Sequence, residues 1–490
     1  MPSFTRRSLL ETLLVFPALS LPSFAEPDWV PLFDGHSLDG WQAGPDSKSF
    51  RVVDGTIATD GTTSHLFYNG KVRNGDFKNF VFKAEVKARH ACNSGIYFHT
   101  KFQAKGFPDN GFEIQVNNTA TGEGTYRERK KTASLYGVRD VYKQFIADDE
   151  WFRMQIAVRG KRVQVHLNDM LMVDYIEPDP PIREGVKTGR ILDHGTFALQ
   201  CHDPGSKAFF RNLMVAPLPD NLPAYEDEHP VADAADHEIL AMHAHNFPVV
   251  DYHVHLKGGL TLEDALKQSR RTGIAYGIAV NCGLGFPVTT DAGAEDFFAT
   301  LKGQPVFAAM QAEGREWVKM FSKKTFAKFD YIFTDAMTWT DDDGKRMRLW
   351  LPDEVGVIRD KQRFMDTLVN RTLGILNDEP VDIYANPTYI PDSLQPEYDT
   401  LWTTARMDRV IEAAKRNDIA VEINNRYKIP SAAFIKRAKA AGVKFSFGSN
   451  NIDAKFGRLE YGRAMVQECA LGWQDFFTPK APGEKAADRR

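Results

Sequence analysis

Two imidazoles one residue apart, His253 and His255, close the apolar run Pro248-Val-Val-Asp-Tyr-His-Val-His-Leu256. On a strand, residues i and i+2 point to the same face. Both rings can therefore reach one point, and Asp251 falls two residues earlier on that face. Neutral imidazole is the commonest protein ligand of transition metals, so the spacing predicts part of a metal site. The plainer alternative is a strand end carrying two hydrogen-bonded histidines.

A second constellation lies upstream. In Phe112-Glu-Ile-Gln-Val116 the apolar residues alternate with Glu113 and Gln115, so a carboxylate and an amide share one face. Glu113 is the first candidate for acid–base work. Paired-carboxylate chemistry needs a partner at a set separation; Asp140 and Glu150 are the possibilities, and neither stands out.

These groups need elements to hold them. A chain of 490 residues exceeds one ordinary core, so two or three domains are expected. With 43% hydrophobic and 26% charged residues, net charge −4 and no sizeable basic block, nucleic acid and anionic membranes are poor partners. Four cysteines (Cys92, Cys201, Cys282, Cys469) lack metal-type spacing; they are free, or Cys92 and Cys201 form a bridge. Residues 1–25 read as an export signal resembling the twin-arginine type: Thr5-Arg6-Arg7, an apolar stretch to Leu21, then Ser23-Phe24-Ala25. The mature protein is expected from Glu26, in the periplasm or secreted, with no integral membrane span after cleavage.

Residues 26–219 read as all β. Alternating segments at 50–53, 80–87, 95–99, 112–116, 152–158, 162–167, 195–200 and 209–215 are separated by turn residues, which predicts a sandwich of two antiparallel sheets. Residues 220–247 form a proline-bearing acidic linker and a short helix, in which His243 and His245 are expected at the surface. Over 248–478 strands alternate with helices. Seven strand candidates, at 249–256, 275–281, 306–311, 330–334, 381–385, 420–424 and 443–448, predict a TIM-like α/β barrel with chemistry at the strand C-terminal ends. Residues 479–490 are expected to be a disordered tail.

The order Pro31-Leu-Phe-Asp-Gly-His-Ser-Leu-Asp-Gly-Trp41, Asn93-Ser-Gly-Ile-Tyr97, Gly111-Phe-Glu-Ile-Gln115, Leu135-Tyr-Gly137, Glu150-Trp151, Leu199-Gln200 and Phe210-Arg-Asn-Leu213 resembles the 3-keto-disaccharide hydrolase-like domain. The resemblance implies a concanavalin-like jelly-roll sandwich and a carbohydrate ligand. Tyr97, Tyr136 and Trp151 would stack on the sugar, and Gln115 would bind hydroxyls. It also implies a route that does without paired carboxylates. A sugar oxidised at C3 has an acidic C2 proton, and its glycosidic bond can break by elimination. Glu113 would act there, with His202 as base or as polariser of the ketone.

The His-x-His opening of a seven-stranded barrel resembles the polymerase and histidinol phosphatase superfamily of metal-dependent phosphoesterases, as do Val421-Glu-Ile-Asn-Asn425 and Gly442-Val-Lys-Phe-Ser-Phe-Gly-Ser449. That family's pattern departs at three places: Asn386 before Pro387, the Asp330–Ala336 strand without a histidine, and Asn450-Asn451 after the last strand. The resemblance implies a reduced site for a divalent metal, zinc or manganese, built from His253, His255, Glu313 and Asp335, with Asp251 and Glu422 as further acidic candidates. The expectation is an exported carbohydrate-active hydrolase or lyase. The alternative is a non-catalytic glycan-binding protein with a decayed barrel.

Overall fold

The computed structural model describes residues 28–122, 124, 126–182, 189–222, 231–340, 344–481 and 483–489. The expected export signal lies outside the described residues. Among the latter, no helix is long and apolar enough to cross a membrane.

The first domain is a sandwich of two antiparallel sheets. One runs Met170–Ile176, Arg162–Leu167, Trp151–Arg159, Phe80–Ala88, Ala208–Pro217, Thr56–Thr59, Phe50–Val53, with Val30–Pro31 added beside Ala208–Pro217. The other runs Trp41–Ala43, Ser64–Tyr68, Thr196–Cys201, Ser94–Thr100, Phe112–Val116. Period-two patterning makes the layers: along Phe80–Ala88, Phe80, Phe82, Ala84, Val86 and Ala88 are buried, and the residues between them are half-buried. Phe82 stacks on Phe197 of the facing sheet, ring centroids 4.7 Å apart. The four cysteines are free and buried; Cys92 and Cys201 share this core without a bridge.

The second domain is a closed barrel of seven parallel strands: Val250–Val254, Ala275–Cys282, Phe307–Ala312, Tyr331–Thr334, Ile383–Tyr384, Ala420–Asn424 and Phe445–Gly448. Its helices have clear local signals. Leu262–Thr272 starts on the Thr261 side chain and ends at Gly273 with φ 78°. The lower half of the barrel interior is apolar, filled by Val250, Tyr252, Phe307, Ala309, Tyr331 and Phe333. Gly277 is required here: a Cβ at that position would lie 1.7 Å from the Tyr331 hydroxyl, which donates to Tyr252 O at 2.7 Å.

The two domains meet at the barrel floor. Tyr142, from the long sandwich segment after Phe112–Val116, belongs to the barrel's interior cluster and donates to Phe247 O at 2.8 Å. Lys143 reaches Asp330 at 2.7 Å. The helix Ala234–Ala244, which starts on an Asp233–Asp236 capping box, is wedged into this junction. His243 is therefore not at the surface as expected. It is fully buried, with Gly273 O 2.8 Å from Nε2 and Asp140 Oδ2 3.2 Å from Nδ1. His245 is exposed. The tail expected to be disordered also has a place: Lys485 is buried with its Nζ 2.6 Å from Phe329 O, and Ala486 N donates to Asp382 Oδ1 at 3.0 Å.

Candidate functional site

The outward face of the smaller sheet gathers the sandwich's polar groups. Leu66, Ile96, Phe98, Phe112, Ile114 and Leu199 turn into the core, so alternation sends His65, Tyr97, Glu113 and Gln200 to the other face. Register aligns them, with Tyr97 opposite Glu113 and Gln200 opposite His65. Glu113 is 4% exposed. Its Oε1 accepts from Gln200 Nε2 at 3.2 Å and its Oε2 from Arg190 at 3.2 Å. Gln200 Nε2 also lies 3.0 Å from the Tyr97 hydroxyl. Gly95 makes room for the carboxylate: a Cβ there would stand 2.8 Å from Glu113 Oε1.

Tyr136 joins from the long segment. Its N–H donates to Glu113 O, its ring lies 5.1 Å from the Arg190 guanidinium and 4.6 Å from Lys130 Nζ, and its hydroxyl donates to Glu128 Oε2 at 3.2 Å. Burial and then the Glu113 charge push the Tyr97 phenol well above its ordinary range. The Tyr136 phenol is raised by burial and then by the Glu128 charge. The amide oxygens of Gln115 and Gln200 are buried and have no hydrogen-bond partner among the described residues. They leave two acceptors for donors that a ligand would bring.

The structure thus unites Glu113, Tyr97 and Tyr136 and places Gln115 on the same strand face. It separates the rest. Trp151 lies on the larger sheet, paired with Lys87 and 4.0 Å from the Arg211 guanidinium, because the chain crosses between sheets before that strand. His202 binds Asp203 at 2.7 Å, and Phe107 stands between it and the cluster, 5.6 Å from each of His202 and His65. Asp140 is spent on the domain junction, and Glu150 is an exposed residue just before the strand that begins at Trp151. Sequence reasoning missed Arg190, Gln200, Glu128 and His65. Gln200 and His65 were legible from alternation alone; Arg190 sits in no periodic segment.

A second polar cluster caps the barrel at the strand C-terminal ends. His253 Nδ1 lies 2.6 Å from Glu422 Oε1, and its Nε2 lies 3.2 Å from Gln311 Oε1. His255 Nδ1 donates to Ala279 O at 3.0 Å, which leaves the lone pair on Nε2; that atom is buried and has no hydrogen-bond partner among the described residues. Asn281 Nδ2 donates to Glu313 Oε1 and to Gln311 Oε1, both at 2.8 Å. Asn386 Nδ2 donates to Asp335 Oδ2 at 2.7 Å. Burial and then the Asp335 charge push Glu313 up to about 8. Burial, then the neighbouring His253, hold His255 well below the ordinary imidazole range. Burial opposes ionisation of Glu422, but the charge and hydrogen bond of His253 keep its carboxyl low.

Asp251 departs from expectation. A shift of register after it turns it away from the imidazoles, and its Oδ1 accepts the backbone N–H groups of His253 and Ser449, at 3.1 and 2.9 Å. Glu422, given a lesser place on the sequence, is the direct partner of His253. The donor set does not fit a divalent metal. Among the described residues no three His, Cys, Asp or Glu side chains converge to hold one, and the amides of Asn281 and Asn386 already serve the carboxylates expected to ligate it. No step is derived through a metal.

Several solved structures are similar over about two fifths of the chain. A crystal structure of the "putative glycosyl hydrolase" from Parabacteroides distasonis ATCC 8503 is 21% identical, covers 39% of this chain and 94% of its own, and has a TM-score of 0.32. The carbohydrate binding module CBM66 from Bacillus subtilis is 15% identical over 36% of this chain and 95% of its own, with a TM-score of 0.25. No curated protein matches. Residues 28–216, the two-sheet sandwich with Glu113 at its polar face, match the family model of the 3-keto-alpha-glucoside-1,2-lyase-like domain.

Proposed function

We propose that the sandwich binds a glycoside oxidised at C3 of its non-reducing sugar and cleaves it by elimination, on an exported protein. The observation that carries the reading is Glu113, a buried carboxylate held between Arg190 and Gln200 beside Tyr97. In this reaction Glu113 takes the C2 proton, the C2 electron pair forms the C1=C2 bond, and the C1–O glycosidic bond breaks. The leaving oxygen takes a proton from Tyr97, whose raised phenol favours the protonated form. Arg190 faces the enolate oxygen at C3 and stabilises the charge that develops there. His202, on the rim beside Phe107, has no part in the step. Export rests on the arginine pair and apolar run of residues 1–25.

The second reading is a binding domain without turnover. It is favoured by the occupancy of Glu113, since each of its oxygens already accepts a hydrogen bond. Incubation of the full chain with a 3-keto-disaccharide separates the two. Wild type should release the aglycone sugar and an unsaturated keto sugar, and Glu113→Gln should bind substrate without releasing either. Binding without release by the wild type would establish the second reading.

A further inference from the structure

We propose that the upper end of the barrel is a metal-independent binding site for a small, neutral, polyhydroxylated molecule, a free monosaccharide or polyol. The first ground is His255. Its Nδ1–H is committed to Ala279 O, so in the neutral ring its buried Nε2, which has no hydrogen-bond partner among the described residues, accepts. A buried acceptor without a donor is unfavourable, and a ligand hydroxyl supplies the donor.

The second ground is how the acidic groups are met. Asn281 donates to Glu313, Asn386 to Asp335, and Asn424 Nδ2 to Glu422 Oε2 at 3.0 Å, while His253 meets the other Glu422 oxygen. Side-chain amides do here what a cation would do, and a metal would have to displace them. Each carboxylate keeps further lone pairs for hydroxyl donors.

The third ground is charge and shape. Glu313, Asp335 and Glu422 present acceptor oxygens, which suit hydroxyl donors and not an anionic ligand. Arg315 is committed to Glu379 at 2.7 Å and to Asp335 O, and Lys257 lies at the edge of the site, 3.4 Å from Asn281 Oδ1. Tyr427, whose N–H donates to Asn424 Oδ1, packs edge-on against Tyr389 with ring centroids 4.8 Å apart, and offers an aromatic wall to sugar C–H groups. This site is separate from the sandwich cluster and does not rest on the reading given for it.

The test uses the untagged full chain after dialysis against chelator, titrated calorimetrically with D-glucose and with myo-inositol. Wild type should bind one of them, and His255→Leu should weaken that event by at least about tenfold. Protein selectively labelled at its 13 histidines provides a direct reading: the ring signal absent from His255→Leu should shift on addition of the same probe. Should His255→Leu fail to fold, Asn281→Asp at a half-buried position replaces the donor to Glu313 with a fourth acid. It should weaken the polyol by a similar factor and create affinity for manganese. Three results overturn the proposal: a full equivalent of metal surviving the chelator, no binding of either probe, or isotherms unchanged in the variants.

Discussion

Glu422 Oε1 stands 2.6 Å from His253 Nδ1, and both side chains are 2% exposed. The pair ties the strand Ala420–Asn424 to Val250–Val254 across the strand Phe445–Gly448 that lies between them. Removing one partner of a buried pair leaves the other without its counter-group, which costs about 3–5 kcal/mol. Glu422→Ala should therefore destabilise the barrel by about 3 kcal/mol. A double variant with His253→Leu should lose much less than the sum of the two single changes. Urea unfolding of the four proteins measures the coupling, and simple additivity would show that the contact contributes nothing.

Gly95 gives a test of the sandwich site that removes none of its polar side chains. A Cβ at 95 would lie 2.8 Å from Glu113 Oε1 and 3.0 Å from its Cγ. In Gly95→Ala the carboxylate must move away from Gln200 or from Arg190. Turnover of a 3-keto-disaccharide should fall at least about tenfold, since displacements near 1 Å at a reacting group cost rates of that order or more. The sandwich melting temperature should change little. Full activity in this variant would remove Glu113 from the chemistry.

Much of this architecture was legible in the sequence, for identifiable reasons. All seven expected barrel strands are present, in the expected order, and Ala420–Asn424 has the expected limits. The helix Lys361–Asp378 has a weak signal because Thr372 interrupts its apolar stripe and Gly374 is a poor helix former. In the sandwich, the strand Ser64–Tyr68 was missed, and with it His65. The candidate site was legible only along single strands. Glu113 was found by alternation. Its partners come from Arg190 in a loop and Gln200 two strands away, and no local pattern encodes that meeting. Trp151 misled for the converse reason, since an aromatic near the right motifs can belong to the other sheet.

His99 should make the sandwich acid-sensitive. Its Nε2–H donates to Lys78 O at 2.9 Å, and its Nδ1 accepts from Asp193 N at 3.3 Å, so the neutral ring is the one that fits. Burial lowers its pKa from 6.5 to about 4. The unfolded chain then binds the proton more readily than the native one, so stability is intact above about pH 7 and declines as pH falls through 6.5 towards 4. Between those limits the loss should approach about 3 kcal/mol. Comparing urea midpoints of wild type and His99→Gln across this range isolates the effect from other titrations. Parallel pH profiles would refute it.

Tyr142 should hold the two domains together. It is 7% exposed, sits in the apolar cluster of the barrel floor, and donates to Phe247 O at 2.8 Å, with His243 Nδ1 3.0 Å from the same hydroxyl. The chain that carries it also carries Tyr136, whose N–H is bonded to Glu113 O. Tyr142→Ala removes a ring from a packed floor, which costs about 3–5 kcal/mol, and strands two polar partners. Tyr142→Phe keeps the ring and loses only the hydroxyl, at about 1–2 kcal/mol. The larger change should split a single unfolding transition into two, because the barrel no longer shares its floor with the sandwich, while Tyr142→Phe should keep one transition. Limited proteolysis gives a second measure: cleavage within residues 127–145 should accelerate in Tyr142→Ala and not in Tyr142→Phe. A single unshifted transition in Tyr142→Ala would mean that the junction is held by Lys143–Asp330 and the Ala234–Ala244 helix without the tyrosine.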